Sequence, residues 1–273
     1  MTEEKTFILG IGAPKAGTTW LYEYIQNDPK ANFGQMKEYH YWNLAFLDQK
    51  ESEKKYKLFK KSKKKYCSDE LLRWTMLSMK NYYGIYFNSI INSGYSITGD
   101  ITPHYARAKE HHLKYIKKYL EAFGFNIKVV YLLRDPMERL WSNVRMEREL
   151  YESIKNDLND SEAINFKIND PFWKFDSFYI NPIKRIQKIF KKENIYIGIF
   201  EEMFLQEKLM ELSNFIGVNY NPEMIQKKIN VTNKKEKLDN STMKEIQESY
   251  IETYEFCYKN FPQTKYLWNK QSE

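Results

Sequence analysis

Apolar residues fall along the chain in two rhythms. Short apolar runs at 7–11 and 128–133 alternate with stretches in which apolar positions recur every three or four residues. The first rhythm suits strands buried on both faces, and the second suits helices that bury one stripe. The first run ends in a loop at 12–17, and helix-compatible residues 18–26 follow, stopping near Asn27-Asp28-Pro29. Residues 95–98 (YSIT) predict a second strand ending at Gly99-Asp100, and 104–123 predict a helix. KVVYLL at 128–133 carries the strongest strand pattern. Asp135-Pro136-Met137-Glu138 then sets Asp at an N-cap, Pro at N1 and Glu at N3, which starts a helix from 136 to about 151. A helix over 178–191, a strand over 195–200, a helix over 204–216, a polar irregular stretch at 218–240 and a helix over 241–260 complete the pattern. Strands alternating with helices predict an α/β fold, with a central, mostly parallel sheet flanked by helices. No Pro-, Gly- or Ser-rich linker and no repeat divides the chain. The expectation is one P-loop-like domain over 1–273, with a lysine-rich helical insertion near 45–80.

The first strand–loop–helix unit carries the most informative chemistry. Its loop reads Gly12-Ala13-Pro14-Lys15-Ala16-Gly17-Thr18-Thr19. A nucleoside-triphosphate loop has the form G-x-x-x-x-G-K-[ST], with lysine directly after the second glycine. Here Thr18 holds that position and Lys15 stands three residues earlier. A triphosphate loop also works with magnesium, held by an Asp at the end of a neighbouring strand. KVVYLL ends instead in Arg134, and the Asp135 that follows is accounted for as a helix cap. A cation where the metal's carboxylate should stand argues against a P-loop kinase. It favours a ligand with a second, separate phosphate.

Composition narrows the field only a little. With 273 residues, 22 Tyr, 17 Phe and 6 Trp, the chain can bury a sizeable core. The net charge of +7 favours anionic partners without choosing among them. The lysine block at 50–65 reads as a solvated face, and it does not interleave aromatic and basic residues as a nucleic-acid module would. No nucleic-acid partner is therefore expected. Cys67 and Cys257 form neither a C-x-x-C pair nor a metal spacing, so no metal site is expected. The polar start MTEEKTF and the lack of a run of about 18 apolar residues predict a cytoplasmic protein without a membrane span.

Two motifs together resemble the sulfotransferase superfamily. Its 5′-phosphosulfate loop, (K/R)-x-G-T-(T/S)-x-L, is similar to Lys15-Ala16-Gly17-Thr18-Thr19-Trp20-Leu21. Its second motif, a strand followed by R-D-P-x-x-R-x-x-S, is similar to Leu133 through Ser142, with Arg134, Asp135, Pro136, Arg139 and Ser142 at the matching positions. The resemblance implies a donor, 3′-phosphoadenosine 5′-phosphosulfate (PAPS), and its product 3′-phosphoadenosine 5′-phosphate (PAP). It implies metal-free, in-line transfer of a sulfonate to a hydroxyl or amine of a small metabolite or a glycan. Residues 15–20 would bind the 5′ end, with Lys15, Thr18 and Thr19 stabilising the leaving phosphate, and Arg134 and Ser142 would bind the 3′-phosphate. Arg139 is expected on the helix surface in a salt bridge. A relative that binds PAP but has lost activity is the alternative.

The acceptor side is read from two further stretches. Lys37-Glu38-Tyr39-His40-Tyr41-Trp42 resembles the K-E-x-x-(F/Y)-F stretch of the glycan-modifying branch and its bacterial relatives, which implies Glu38 as general base. Burial beside Tyr39, Tyr41 and Trp42 would raise its pKa to suit that task. Asp100-Ile101-Thr102-Pro103-His104-Tyr105 resembles the family's (E/K)-x-(S/T)-P-x-Y turn, with Ile101 where glycan enzymes often carry Lys. His104 is the second candidate base. Glu201 and Glu202 are expected to be structural, and the basic residues at 234–237 fall where the family places a flap over the donor.

Overall fold

The structure is a computed structural model that describes residues 4–46, 68–150, 158–168, 170–227, 229 and 237–269. Four strands, β1 (Thr6–Gly12), β2 (Ile97–Ile101), β3 (Asn126–Leu133) and β4 (Ile195–Ile199), form one all-parallel sheet in the order β2-β1-β3-β4. Every residue of β1 is buried, as befits a central strand covered on both faces. β1 leads next to β2 on one side of it, whereas β3 leads next to β4 on the other. The crevice between the carboxyl ends of β1 and β3 is thus the topological switch point, where open parallel sheets bind their ligands.

Thirteen helices surround the sheet among the described residues. In chain order they are α1 (Thr18–Gln26), α2 (Tyr41–Ala45), α3 (Ser68–Ser78), α4 (Tyr82–Asn92), α5 (Glu110–Ala122), α6 (Pro136–Leu150), α7 (Asp160–Lys167), α8 (Pro171–Phe175), α9 (Ile180–Ile189), α10 (Gln206–Ile216), α11 (Asn240–Ser249), α12 (Ile251–Asn260) and α13 (Thr264–Leu267). The lysine block at 50–65 lies outside the described residues, while α3 occupies the end of the expected insertion.

Three expected elements differ from the pattern read in the sequence. β2 runs two residues later than 95–98 because Gly99 continues the strand. A Cβ there would lie 2.3 Å from the Ile8 carbonyl oxygen, so only glycine lets β2 pack this closely on β1. The helix expected over 104–123 is two pieces. A 3₁₀ turn (Pro103–Arg107) comes first, then extended backbone at Ala108 and Lys109, and then α5. Tyr105 anchors the turn by donating its hydroxyl to Asp100 Oδ2 at 2.6 Å, which a continuous helix would not allow. The helix expected over 241–260 breaks at the fully buried Tyr250 into α11 and α12.

Under β1 and β2 lies an aromatic core. Phe7 meets Phe87 edge-on at 5.0 Å, and Tyr39, Trp42 and Tyr83 close around them. Aromatic pairs in this geometry add about 0.5–1.5 kcal/mol beyond their area burial. The backbone of residues 36–40 is thereby held across the top of β2. Tyr39 N–H donates to Asp100 Oδ1, His40 N–H to Thr102 Oγ1, and Ile101 N–H to the Lys37 carbonyl.

Candidate active site

The loop after β1 is shaped by positive φ at Lys15 (65°) and Gly17 (88°). Gly17 is required twice over. Its backbone is left-handed, and a Cβ on it would lie 2.8 Å from the Phe200 ring. The loop delivers the chain into α1, whose N-terminus has no side-chain cap and no acidic residue in its first turn. Helix N-termini of this kind present backbone donors and partial positive charge to an anion.

At the end of β3, one crevice away, stands Arg134. Its Nη1 donates to the Lys15 carbonyl at 3.0 Å and its Nη2 pairs with Glu138 Oε2 at 3.2 Å. The guanidinium lies 4.4 Å from the centre of the Phe200 ring. Its Nε is buried without a hydrogen-bond partner among the described residues. Arg134 thus combines an ion pair with a donor that no described residue takes up. Ser142 lies two turns further along α6 and lines the same cavity. Asp135 serves the helix start, its Oδ1 accepting from Met137 N–H at 3.0 Å and from the Tyr254 hydroxyl at 2.6 Å. Burial raises its pKa to about 7 against those hydrogen bonds. Glu138, expected at N3 of a capping box, pairs with Arg134. Glu201 is structural as expected, accepting from Asp135 N–H and from Trp268 Nε1.

Lys37, Glu38, His40 and His104 form one cluster beside the start of α1. The ammonium of Lys37 lies 2.8 Å from Glu38 Oε1, 2.9 Å from Thr19 Oγ1 and 3.3 Å from Thr18 Oγ1. Its side chain is 16% exposed. It thus sets a cation against the positive end of α1, with the Glu38 carboxylate beside it to offset the repulsion. His40 Nε2 stands 3.2 Å from Glu38 Oε2, and the His40 and His104 rings are 5.7 Å apart. The Glu38 carbonyl and the Tyr39 carbonyl both accept from Arg73, which fixes this segment from behind.

The expected electrostatics of Glu38 are overturned. Burial does push its pKa up, but hydrogen bonds and charge from His40 and Lys37 outweigh it and hold the carboxyl at about 2. Tyr39 and Trp42, expected to surround Glu38, are buried in the aromatic core instead. His104 is pushed below the ordinary imidazole value, by burial first and by Arg107 second.

Lys15, Gly17, Thr18, Thr19, Glu38, His104, Arg134 and Ser142 all line one cavity of about 1150 Å³. This is room for a nucleotide and a second substrate. Ala16 is fully buried and supports the loop through its backbone. Trp20 touches the cavity but is 3% exposed, stacks on Tyr24 and donates its Nε1 to the Met224 carbonyl. Arg139 corrects a sequence reading. It is fully buried, not on the helix surface, and donates to Ser177 Oγ and the Trp173 carbonyl. Lys234 and Lys235 lie outside the described residues, and Lys237 is exposed. Among the cavity residues to which the sequence reading gave no role are Lys37 and Arg145. Lys37 was read only as a neighbour of Glu38. Arg145 follows Ser142 by three residues on α6, a spacing that puts both on one helix face.

A family model described as "Sulfotransferase domain" matches residues 4–266 of the chain. A search of curated proteins returns no significant match. Among solved structures, the chain is similar to a sulfotransferase from Alicyclobacillus acidocaldarius, with 15% identity over 93% of this chain and 94% of that one, and a TM-score of 0.57. It is also similar to a sulfotransferase domain from the curacin biosynthetic pathway, with 16% identity over 86% and 82% and a TM-score of 0.48. A third similar structure is a sulfotransferase domain from the Synechococcus PCC 7002 olefin synthase, with 14% identity over 94% and 95% and a TM-score of 0.47. No helix among the described residues is long and apolar enough to cross a membrane.

Proposed function

Because the chain belongs to the sulfotransferase domain family, we propose that it transfers a sulfonate from PAPS to a hydroxyl or amine of a small metabolite or glycan. What supports this reading most is that two separate features suited to anions line one cavity. The loop around Lys15 ends β1, Arg134 ends β3, and Arg134 Nη1 lies 3.0 Å from the Lys15 carbonyl. A nucleotide with phosphate at both its 5′ and 3′ positions asks for such a pair.

The residues present fit that donor. The buried Arg134 Nε has a hydrogen to give, and Ser142 adds a hydroxyl for the 3′-phosphate. The left-handed turn at Gly17, which leads the loop backbone into the uncapped start of α1, suits the 5′-phosphate. The donor supplies an activated sulfonate and a phosphate leaving group. Lys15, Thr18, Thr19 and the α1 N-terminus stabilise the negative charge that grows on that phosphate, preorganised stabilisation worth roughly 3–4 kcal/mol per donor. Glu38 receives the acceptor's proton. A carboxylate held near 2 is a weak base, but it is ionised at every working pH. It suffices because the acceptor O–H becomes strongly acidic as its oxygen bonds to sulfur, so proton transfer comes late. His104, kept neutral by its lowered pKa, is the second candidate for the proton.

The test is titration calorimetry with PAP, with and without EDTA, followed by an acceptor screen with labelled PAPS read by mass spectrometry. PAP is expected to bind equally in both buffers, and label is expected to move to an acceptor. Binding of ATP that needs magnesium, with none for PAP, would overturn the reading in favour of a kinase.

A further inference from the structure

Lys37 is one of the charged groups in the cavity that the motif reading leaves without a task. An ammonium has three hydrogens to donate. Here they face two hydroxyls at the start of α1 and one carboxylate oxygen, at 3.3, 2.9 and 2.8 Å. Two features of this arrangement call for an anion. The α1 N-terminus is itself positive and carries no acidic residue in its first turn, so the Glu38 carboxylate offsets Lys37 and leaves the helix end for a second anion. In addition, Lys37 takes up oxygen lone pairs of Thr18 and Thr19, which leaves each hydroxyl hydrogen to point elsewhere, toward an acceptor oxygen in the cavity. The position is built rather than incidental. The Lys37 carbonyl accepts from Ile101 N–H at 3.1 Å, and Arg73 holds the next two carbonyls.

The place where Lys37 sits also narrows which anion it meets. It lies between the α1 hydroxyls and Glu38, so it stands where the donor side meets the acceptor side. On the reading of the cavity as a PAPS site, on which this step rests, we propose that Lys37 binds the sulfonate end of the donor, not its phosphates. Engaging that sulfonate draws the ammonium away from Glu38. The carboxylate is then held less tightly and becomes a better base only once the donor is in place. Lys37 thereby links donor occupancy to proton acceptance, and favours binding of the donor before the acceptor reacts.

The test compares PAP, which lacks the sulfonate, with PAPS, which has it. Affinities are measured by calorimetry without acceptor, with mass spectrometry showing PAPS intact at the end. Lys37→Met is expected to bind PAP within about twofold of the parent and PAPS roughly 10–100-fold more weakly, the range of a lost charge-assisted hydrogen bond. Lys37→Arg should recover part of that loss. Thermal melting of both variants with PAP bound reports on folding. Equal weakening for both ligands would assign Lys37 to the phosphates or to the loop, and unchanged PAPS binding would give it no part in the donor; either result overturns the proposal. A parent protein that bound neither ligand would overturn the donor reading itself, and this proposal with it.

Discussion

The two ends of the cavity, donor and acceptor sides under the proposed function, are charged in opposite styles. At the donor end α1 begins with no cap and no acid, and Arg134 keeps a buried Nε unsatisfied beside its single carboxylate. At the acceptor end Glu38 is matched twice, by Lys37 on one oxygen and His40 on the other. The first end is left positive and open, as a site for a multiply charged anion must be. The second is closed on itself, so its carboxylate stays ionised until a substrate competes for its partners. One lysine, Lys37, touches both ends. The difference shows that the same residue types do opposite work according to whether their charge is compensated.

The largest effect should come from breaking the closed end. Glu38→Gln keeps volume and hydrogen bonding but cannot take a proton, so turnover should fall by roughly 10²–10⁴ while PAP affinity stays near the parent value. His104→Ala should be milder. The pH profile separates the two groups in the parent. With Glu38 at about 2 in the free protein, the active form is already present throughout the mildly acid range, so kcat/KM should be flat from about pH 4 to 7. If His104 were the base, the rate would decline in that window, because protonation below its lowered pKa removes the active form. Stability follows the same sign. A depressed carboxyl pKa stabilises the fold above the ordinary 4.5, and that contribution is lost as pH falls toward about 2. An acid limb in the rate near the imidazole range that disappears in His104→Ala would move the base to the second turn.

Arg134→Ala attacks the open end. PAP affinity should fall roughly 10–100-fold, the worth of a charge-assisted contact to phosphate. Adenosine 5′-phosphate, which lacks the 3′-phosphate, should lose much less. Some common loss is expected, since Arg134 also holds the Lys15 carbonyl and balances the buried Glu138. A mutant that kept the parent's preference for PAP over adenosine 5′-phosphate would show that Arg134 serves the loop alone.

The placement of the proposed donor end was legible in the sequence, and that of the proposed acceptor end only in outline. Lys15 to Leu21 and Arg134 to Ser142 each occupy one strand-end loop and the helix after it, so spacing alone sets their placement. The α/β class and the parallel sheet followed from the same local rhythm. What spacing does not carry is the pairing of side chains from separate elements. Glu38 was expected among aromatic rings that would raise its pKa, but those rings turn into the core beneath β1 and β2. The charges beside it come from Lys37 and His40. Arg139 looked like surface because its helix is polar in sequence. The segment around Trp173 and Ser177 covers that face, and only the tertiary structure shows the cover. The break after Arg107 has the same origin, since Asp100 captures Tyr105 from a neighbouring element.

The smallest change is the most exact probe of the open end. Ser142 is a neutral hydroxyl on α6, two turns from Arg134, and 7% exposed. Alanine fills nearly the same space, so Ser142→Ala should leave the fold intact. If the hydroxyl donates to the 3′-phosphate, its loss should weaken PAP by a few-fold, on the scale of about 0.5–1.5 kcal/mol for one hydrogen bond. Adenosine 5′-phosphate should bind the variant as it binds the parent. The loss should also add to that of Arg134→Ala imperfectly, because the two side chains would share one phosphate. Calorimetry on the two single variants and the double variant measures that coupling. Equal losses for PAP and adenosine 5′-phosphate, or strict additivity with Arg134→Ala, would separate Ser142 from the 3′ position and leave Arg134 to hold it without this hydroxyl.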